Sequence, residues 1–314
     1  MPLQKTAFNF MNDYRYILEK YNGTKSRYHC PNCNKPNQFT RYIDTKTNEH
    51  LNDKVGVCSR LIKCGYHYKP KQYFQDNNIS FDKTSSSIPF VRKPPPPKPK
   101  TTYFNPEVMA KSLSSKTPNF FLDYLTTLWN DKELIYFLAK KYNIGTSTKW
   151  NGATTFWQQD INGKIRSGKV MLYNPETGKR VKKPYNHIGW EHSKIDNFNL
   201  EQCYFGEHLL NEEKTKTVAI VESEKTAFIS SLYIPEYVWL ACGSLNNLNE
   251  AKTKVLKGRN VVLFPDAGCF DLWNDKIPKL EKKAIFVTNQ LLKNKATDYE
   301  KKQGFDIADY LVRF

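Results

Sequence analysis

Four cysteines fall between positions 30 and 64, spaced Cys30-x2-Cys33 and Cys58-x5-Cys64. Two close pairs of soft thiolates, brought together by a β-hairpin, make the tetrahedral set that a structural Zn²⁺ requires. His67 offers a competing C-x2-H pair with Cys64, and Cys30, Cys33, Cys58 and Cys64 are the favoured ligands. Carboxylates carry a second chemistry. The apolar run "TVAIV" ends in Glu222, Glu224 and Lys225, and "NVVLFP" ends in Asp266. A lone acid at a helix start is explained by the helix dipole. Two acids at the ends of parallel strands lie along one edge and repel unless a hard cation, Mg²⁺ or Mn²⁺, sits between them. In "GFDIADYL", Asp306 and Asp309 stand three apart on one face of a terminal helix, and they or Asp271 can join that site.

Elements of two kinds must position these residues. Phe10, Tyr14, Ile17, Leu18 and Tyr21 recur at helical spacing, predicting a short amphipathic helix before the first cysteine, and "NQFTRYIDTKTNEHLNDKVGVC" reads as the ribbon hairpin with Asn48 near its tip. "TSSSIPFVRKPPPPKPKTT" cannot form a core and predicts an extended spacer. "PNFFLDYLTTLW" and "DKELIYFLAKKYNIG" predict two helices parted at Asn130, the second ending on Gly145. "TTFWQQDINGKIRSGKVMLYNPETGKRVKKP" alternates apolar positions around Asn162-Gly163 and Asn174-Pro175, which predicts a β-meander. "TVAIVES", "YVWLAC", "NVVLFPD" and "KAIFVTN", separated by 10–20 residues, predict a small parallel sheet. The expected organisation is a ribbon domain over 1–83, a linker over 84–103, a helical and β-meander basic subdomain over 104–202 and an α/β domain over 203–314. "GKIRSGKV" is nearly a P-loop, but Val170 stands where the Mg²⁺-binding Ser or Thr belongs and the context is a hairpin, which excludes that reading.

The 314 residues carry 48 Lys plus Arg against 31 Asp plus Glu, a net charge of +17. Residues 1–103 hold +11 of it, so the N-terminal third is the more basic. Such a surplus attracts polyanions, with single-stranded nucleic acid the leading partner. Around the cysteines, Arg27, Arg41, Arg60 and Tyr66 interleave charge with aromatic faces suited to backbone attraction and base stacking; Lys164, Arg166 and Lys169 are candidates by charge. No stretch has the h-region of a signal peptide or the roughly 20 apolar residues of a membrane span, so a cytoplasmic protein without a membrane partner is expected.

"IVESEKTA" and "LFPDAG" together resemble the TOPRIM domain of bacterial primases, topoisomerases, recombination mediators and some nucleases, in which a Glu follows one strand and Asp-x-Asp a later one. Here Ser223 replaces the usual Gly, and Gly268 the second Asp. "WLACGS" is similar to the family's middle strand and its phosphate-near turn at Gly243 and Ser244. The order of ribbon, linker, helical and β segment, then TOPRIM resembles bacterial and mobile-element DNA primases. The resemblance implies Glu222 and Asp266 as catalytic metal ligands, and Lys225, Gly243 and Ser244 as nucleotide or cofactor contacts. It also implies nucleoside triphosphates as substrates, a helicase partner and a role in replicating a mobile element. Alternatives are a non-catalytic DNA-binding protein like the recombination mediators, favoured by the missing Asp, and a TOPRIM nuclease or topoisomerase.

Overall fold

A computed structural model describes residues 14–60, 64–79 and 99–313. The chain divides into two compact units, residues 1–95 and 96–314.

The first unit is a four-stranded antiparallel sheet in the order β1-β2-β3-β4, with β1 at Tyr16–Leu18, β2 at Phe39–Asp44, β3 at Gly56–Cys58 and β4 at His67–Tyr68. A helix, α1, follows over Pro70–Asp76. The helix expected ahead of the cysteines is corrected: Tyr16, Ile17 and Leu18 pair with Asp44, Ile43 and Tyr42, because an unpaired edge of β2 offers these residues backbone partners that a single helical turn cannot match. Phe10 lies outside the described residues. The ribbon's own core is Phe39 with Cys30 and Cys58, edged by Tyr28 and Tyr66. So few apolar side chains cannot order a sheet without a further crosslink.

The second unit begins with α2 (Pro106–Leu113), α3 (Phe120–Trp129) and α4 (Lys132–Lys141). The sequence chooses these boundaries through caps. Asn105, Asn119 and Asp131 each accept a backbone N–H of the following turn, and Asn130 ends α3 in the left-handed region at φ 53°. α4 stops earlier than Gly145 suggests, at Asn143 (φ 53°), and Gly145 instead lies within strand β5 (Ile144–Ser147), where its missing side chain leaves room for Ser112. The meander expected over residues 154–184 forms β6 (Ala153–Gln159) and β7 (Ile165–Met171), but beyond Asn174-Pro175 only Tyr173 and Arg180 bridge, and the antiparallel order β5-β6-β7-β8 is completed by β5 before that stretch and β8 (Ile188–Trp190) after it.

Four parallel strands follow: β9 (Val218–Val221), β10 (Val238–Ala241), β11 (Asn260–Leu263) and β12 (Ile285–Thr288), in the order β10-β9-β11-β12. The helices around them are α5 (Glu224–Tyr233), α6 (Glu250–Thr253), α7 (Phe270–Asn274), α8 (Leu291–Lys295), α9 (Asp298–Gln303) and α10 (Ile307–Leu311). β9 and β10 are buried throughout, as uninterrupted apolar strands covered on both faces must be. One core runs through this unit: Phe121 and Ile135 of the helices, Phe156 of the meander, and Phe228 and Trp239 of the sheet layer belong to the same buried cluster. Among the described residues no helix is long and apolar enough to cross a membrane.

Candidate functional site

In the ribbon, the ligand atoms of Cys30, Cys33, Cys58 and Cys64 all lie within 4.8 Å of one another, and the Cys30 and Cys64 sulfurs are 3.6 Å apart. Tetrahedral zinc with Zn–S bonds of about 2.3 Å places its sulfurs ~3.8 Å apart, so one ion fits this set. Local hydrogen bonds prepare it. The backbone N–H of Tyr66, with help from the Asn32 amide, lowers the Cys64 thiol to about 6, and the N–H of Lys35 lowers Cys33. Burial pushes Cys58 up to about 12, a cost that a metal cation reverses. His67 is elsewhere, its Nε2 3.0 Å from the Tyr42 hydroxyl. The nearby basic and aromatic residues are partly engaged. Arg41 lies 4.0 Å over Tyr28 and pairs with Asp53 at 2.9 Å, Arg27 lies over Tyr21, Tyr66 donates to the Lys54 carbonyl, and the Arg60 carbonyl accepts from Cys64 N–H.

The parallel sheet assembles the carboxylates. Glu222 follows β9 directly, and Ser223 caps α5 by accepting from Thr226 N–H at 3.1 Å. On one side Gly243, beyond β10, donates its N–H to the Glu222 carbonyl at 2.8 Å. On the other, Asp266 lies past the end of β11 in a turn closed by Cys269 N–H to the Asp266 carbonyl. Gly268 in that turn has φ +81°, which accounts for glycine where the related pattern has a second Asp. The Ala267 N–H bonds the Phe305 carbonyl at 2.8 Å, bringing in Asp306. Asp306 caps α10 in a reciprocal box with Asp309 and accepts from the Thr226 hydroxyl of α5. The three-residue spacing of Asp306 and Asp309 is thus a capping box, and it also delivers Asp306 to the rim.

These acids act on one another. Burial raises Asp266 to about 8, reinforced by the charges of Asp306, Glu222 and Asp309 in that order. Burial raises Asp306 too, with Asp309 adding and the Thr226 hydroxyl and Lys225 opposing. Glu222 is raised by burial and by Glu224, against the opposing charge of Lys169. Burial, more than mutual repulsion, holds these three carboxyls toward the neutral form, and ionising them together would be easier beside a cation. Among the described residues, however, the cysteines are the only set of three or more His, Cys, Asp or Glu whose ligand atoms converge.

Other expected residues have engagements of their own. Asp271 is 84% exposed on α7 and pairs with Lys293. Ser244 precedes a short 3-10 turn over Leu245–Asn247, its backbone carbonyl accepting from Asn247 N–H and its side chain making no cap bond. Arg166 is held by Asp160 at 2.6 Å and Glu201 at 2.9 Å, and Lys164 reaches over the Tyr103 ring. Lys169 turns inward to Glu224, Nζ to Oε2 2.7 Å, with both side chains largely buried. Glu224 went unrecognised as a site residue because a glutamate at a helix start looks like a dipole acid. Only its spacing of two from Glu222 hinted at the rim.

A family model described as a zinc beta-ribbon finger matches residues 14–79, and a domain of unknown function (DUF6371) matches residues 119–267. No curated protein is significantly similar to the chain. Among solved structures, it is similar to the primase fragment of the bacteriophage T7 primase-helicase protein, at 14% identity over 83% of this chain and 88% of that one, with a TM-score of 0.35. It is similar also to the DnaG catalytic core, at 10% identity over 66% and 81% with a TM-score of 0.41, and to the E. coli primase catalytic core, at 9% over 66% and 81% with 0.38. Superpositions this loose have no bearing on the chemistry.

Proposed function

We propose that the second unit carries a TOPRIM-type site for nucleotidyl transfer on single-stranded DNA, of the kind primases use in replicating a mobile element, with nucleoside triphosphates as substrates and a helicase as partner. The observation that carries this reading is a shared sheet edge: Glu222 follows β9 and Asp266 lies past the end of the adjacent parallel strand β11, with burial first and the charges of Asp306 and Glu222 next pushing the Asp266 carboxyl up to about 8. A bound Mg²⁺ or Mn²⁺ would orient nucleotide phosphates and lower the pKa of an attacking 3′-hydroxyl. Glu222, Asp266 and Asp306 would hold it. Thr226 fixes Asp306 by its hydrogen bond, Lys225 offsets part of the acidic charge, and the Gly243 turn leaves the edge beside Glu222 free of a side chain. The ribbon, with one Zn²⁺, would hold the template.

A second reading, a DNA-binding protein without catalysis, is favoured by one observation: Gly268 removes the ligand that an Asp would supply. Primer synthesis separates the two. Purified protein with a single-stranded template, ribonucleotides and Mn²⁺ should yield oligonucleotides, and Glu222→Gln and Asp266→Asn should each reduce the yield at least 100-fold. Template binding without product would establish the second reading, and template scission would indicate a nuclease.

A further inference from the structure

The connection between β7 and β8 turns first at Asn174–Lys179 and then contains a second tight loop that the catalytic reading does not use. His187 N–H bonds the Val181 carbonyl at 3.2 Å, closing a five-residue loop, Lys182–Asn186, with sequence KKPYN. In this loop Tyr185 stacks on His187, ring centroids 4.3 Å apart and planes 21° from parallel. His187 in turn meets Trp150, from the turn before β6, edge-on at 5.1 Å. The Lys149 ammonium lies 5.1 Å from the Trp150 ring centroid.

This cluster is not part of the core. None of the three rings joins a hydrophobic cluster of the described residues, and Tyr185 is 55% exposed. The Nδ1 of His187 is buried without a hydrogen-bond partner, so stacking holds that ring in place more than polar contacts do. Three lysines flank the rings in sequence: Lys149 beside Trp150, and Lys182 and Lys183 in the Tyr185 loop. Lys141 and Lys169 of the same unit are held by carboxylates, whereas no ion pair among the described residues engages Lys149, Lys182 or Lys183. An aromatic face open to solvent, flanked by unpaired ammoniums, complements a chain that alternates flat bases with phosphates.

We infer that Tyr185, His187 and Trp150 form a base-stacking platform for single-stranded DNA, with Lys149, Lys182 and Lys183 contacting its phosphates. The inference rests on the reading that this protein works on single-stranded DNA, and adds where the strand lies. Binding of the full-length protein to a fluorescent oligo-dT, followed by anisotropy at fixed salt, tests it. Tyr185→Ala should weaken binding about 5- to 150-fold, the loss expected for one stacked base. Tyr185→Phe, which keeps the ring, should stay within twofold of wild type. Lys182→Ala should lower the salt slope by about 0.7, the value for one lost phosphate contact on a single strand. An oligonucleotide of the same length lacking bases should bind wild type and Tyr185→Ala equally. If Tyr185→Ala binds oligo-dT within twofold of wild type, the platform is wrong and the carboxylate site is untouched. If wild type does not bind the oligonucleotide at all, both readings fall.

Discussion

At Glu224 one carboxylate oxygen takes the Lys169 ammonium at 2.7 Å, while the other is buried without a hydrogen-bond partner. A buried acid so placed depends on its single cation, because no other protein donor reaches it among the described residues. Lys169→Met should cost about 3–5 kcal/mol in urea unfolding, and adding Glu224→Leu should recover most of it. A loss under about 1 kcal/mol for the single variant would show that the pair does not join the meander to the rim. Little of this was legible in the sequence. Lys169 stands in a run of basic residues whose charge suggests a solvated or nucleic-acid-facing strand, and nothing in the run marks the one lysine whose strand face turns inward. Glu222 and Asp266 were legible because each ends an apolar strand, and parallel strands put such ends on one edge.

At the scale of elements, α9 and α10 set where Asp306 stands. Glu300 at the third position of α9 caps it through Thr297, and also accepts from the Tyr310 hydroxyl at 2.7 Å and pairs with Arg313 at 2.9 Å, which ties α9 to α10. The Thr297 N–H, the Tyr310 hydroxyl and Arg313 together lower Glu300 to about 2. A depressed carboxyl stabilises the fold fully above its ordinary pKa of about 4.5, and the contribution disappears as pH falls toward 2. Melting temperatures of wild type and Glu300→Gln should therefore differ by a constant amount above pH 5 and converge between about pH 4.5 and 2. A gap independent of pH would mean that Glu300 acts by packing alone. The strands were read from apolar runs and turn residues, which act locally. The helix expected at residues 10–21 was not found at 16–18, because the pairing of β1 with the distant Asp44, Ile43 and Tyr42 overrides a short helical period. Gly268 looked like a lost ligand in the sequence; its positive φ shows a turn that favours glycine.

Across the whole molecule, the two units are stabilised differently. The second has a continuous apolar core, whereas the buried apolar cluster of the ribbon is Phe39 with Cys30 and Cys58, with Val55 and Phe74 also buried, so a zinc ion on the four cysteines would supply much of its order. Removing zinc from the full-length protein with a chelator should abolish hydrogen-exchange protection over residues 28–68 and leave β9 to β11 protected. Retained protection in the ribbon would remove zinc from its structural role. The proposed activity depends on a divalent ion at the Glu222–Asp266 rim. Mn²⁺ binding to the zinc-loaded protein, followed by electron paramagnetic resonance, tests it most directly. One ion should bind per chain, Glu222→Gln and Asp266→Asn should each weaken it at least tenfold, and Asp271→Asn should leave it unchanged. Binding that survives the first two variants, or is lost in the third, would contradict a metal site at the Glu222–Asp266 rim.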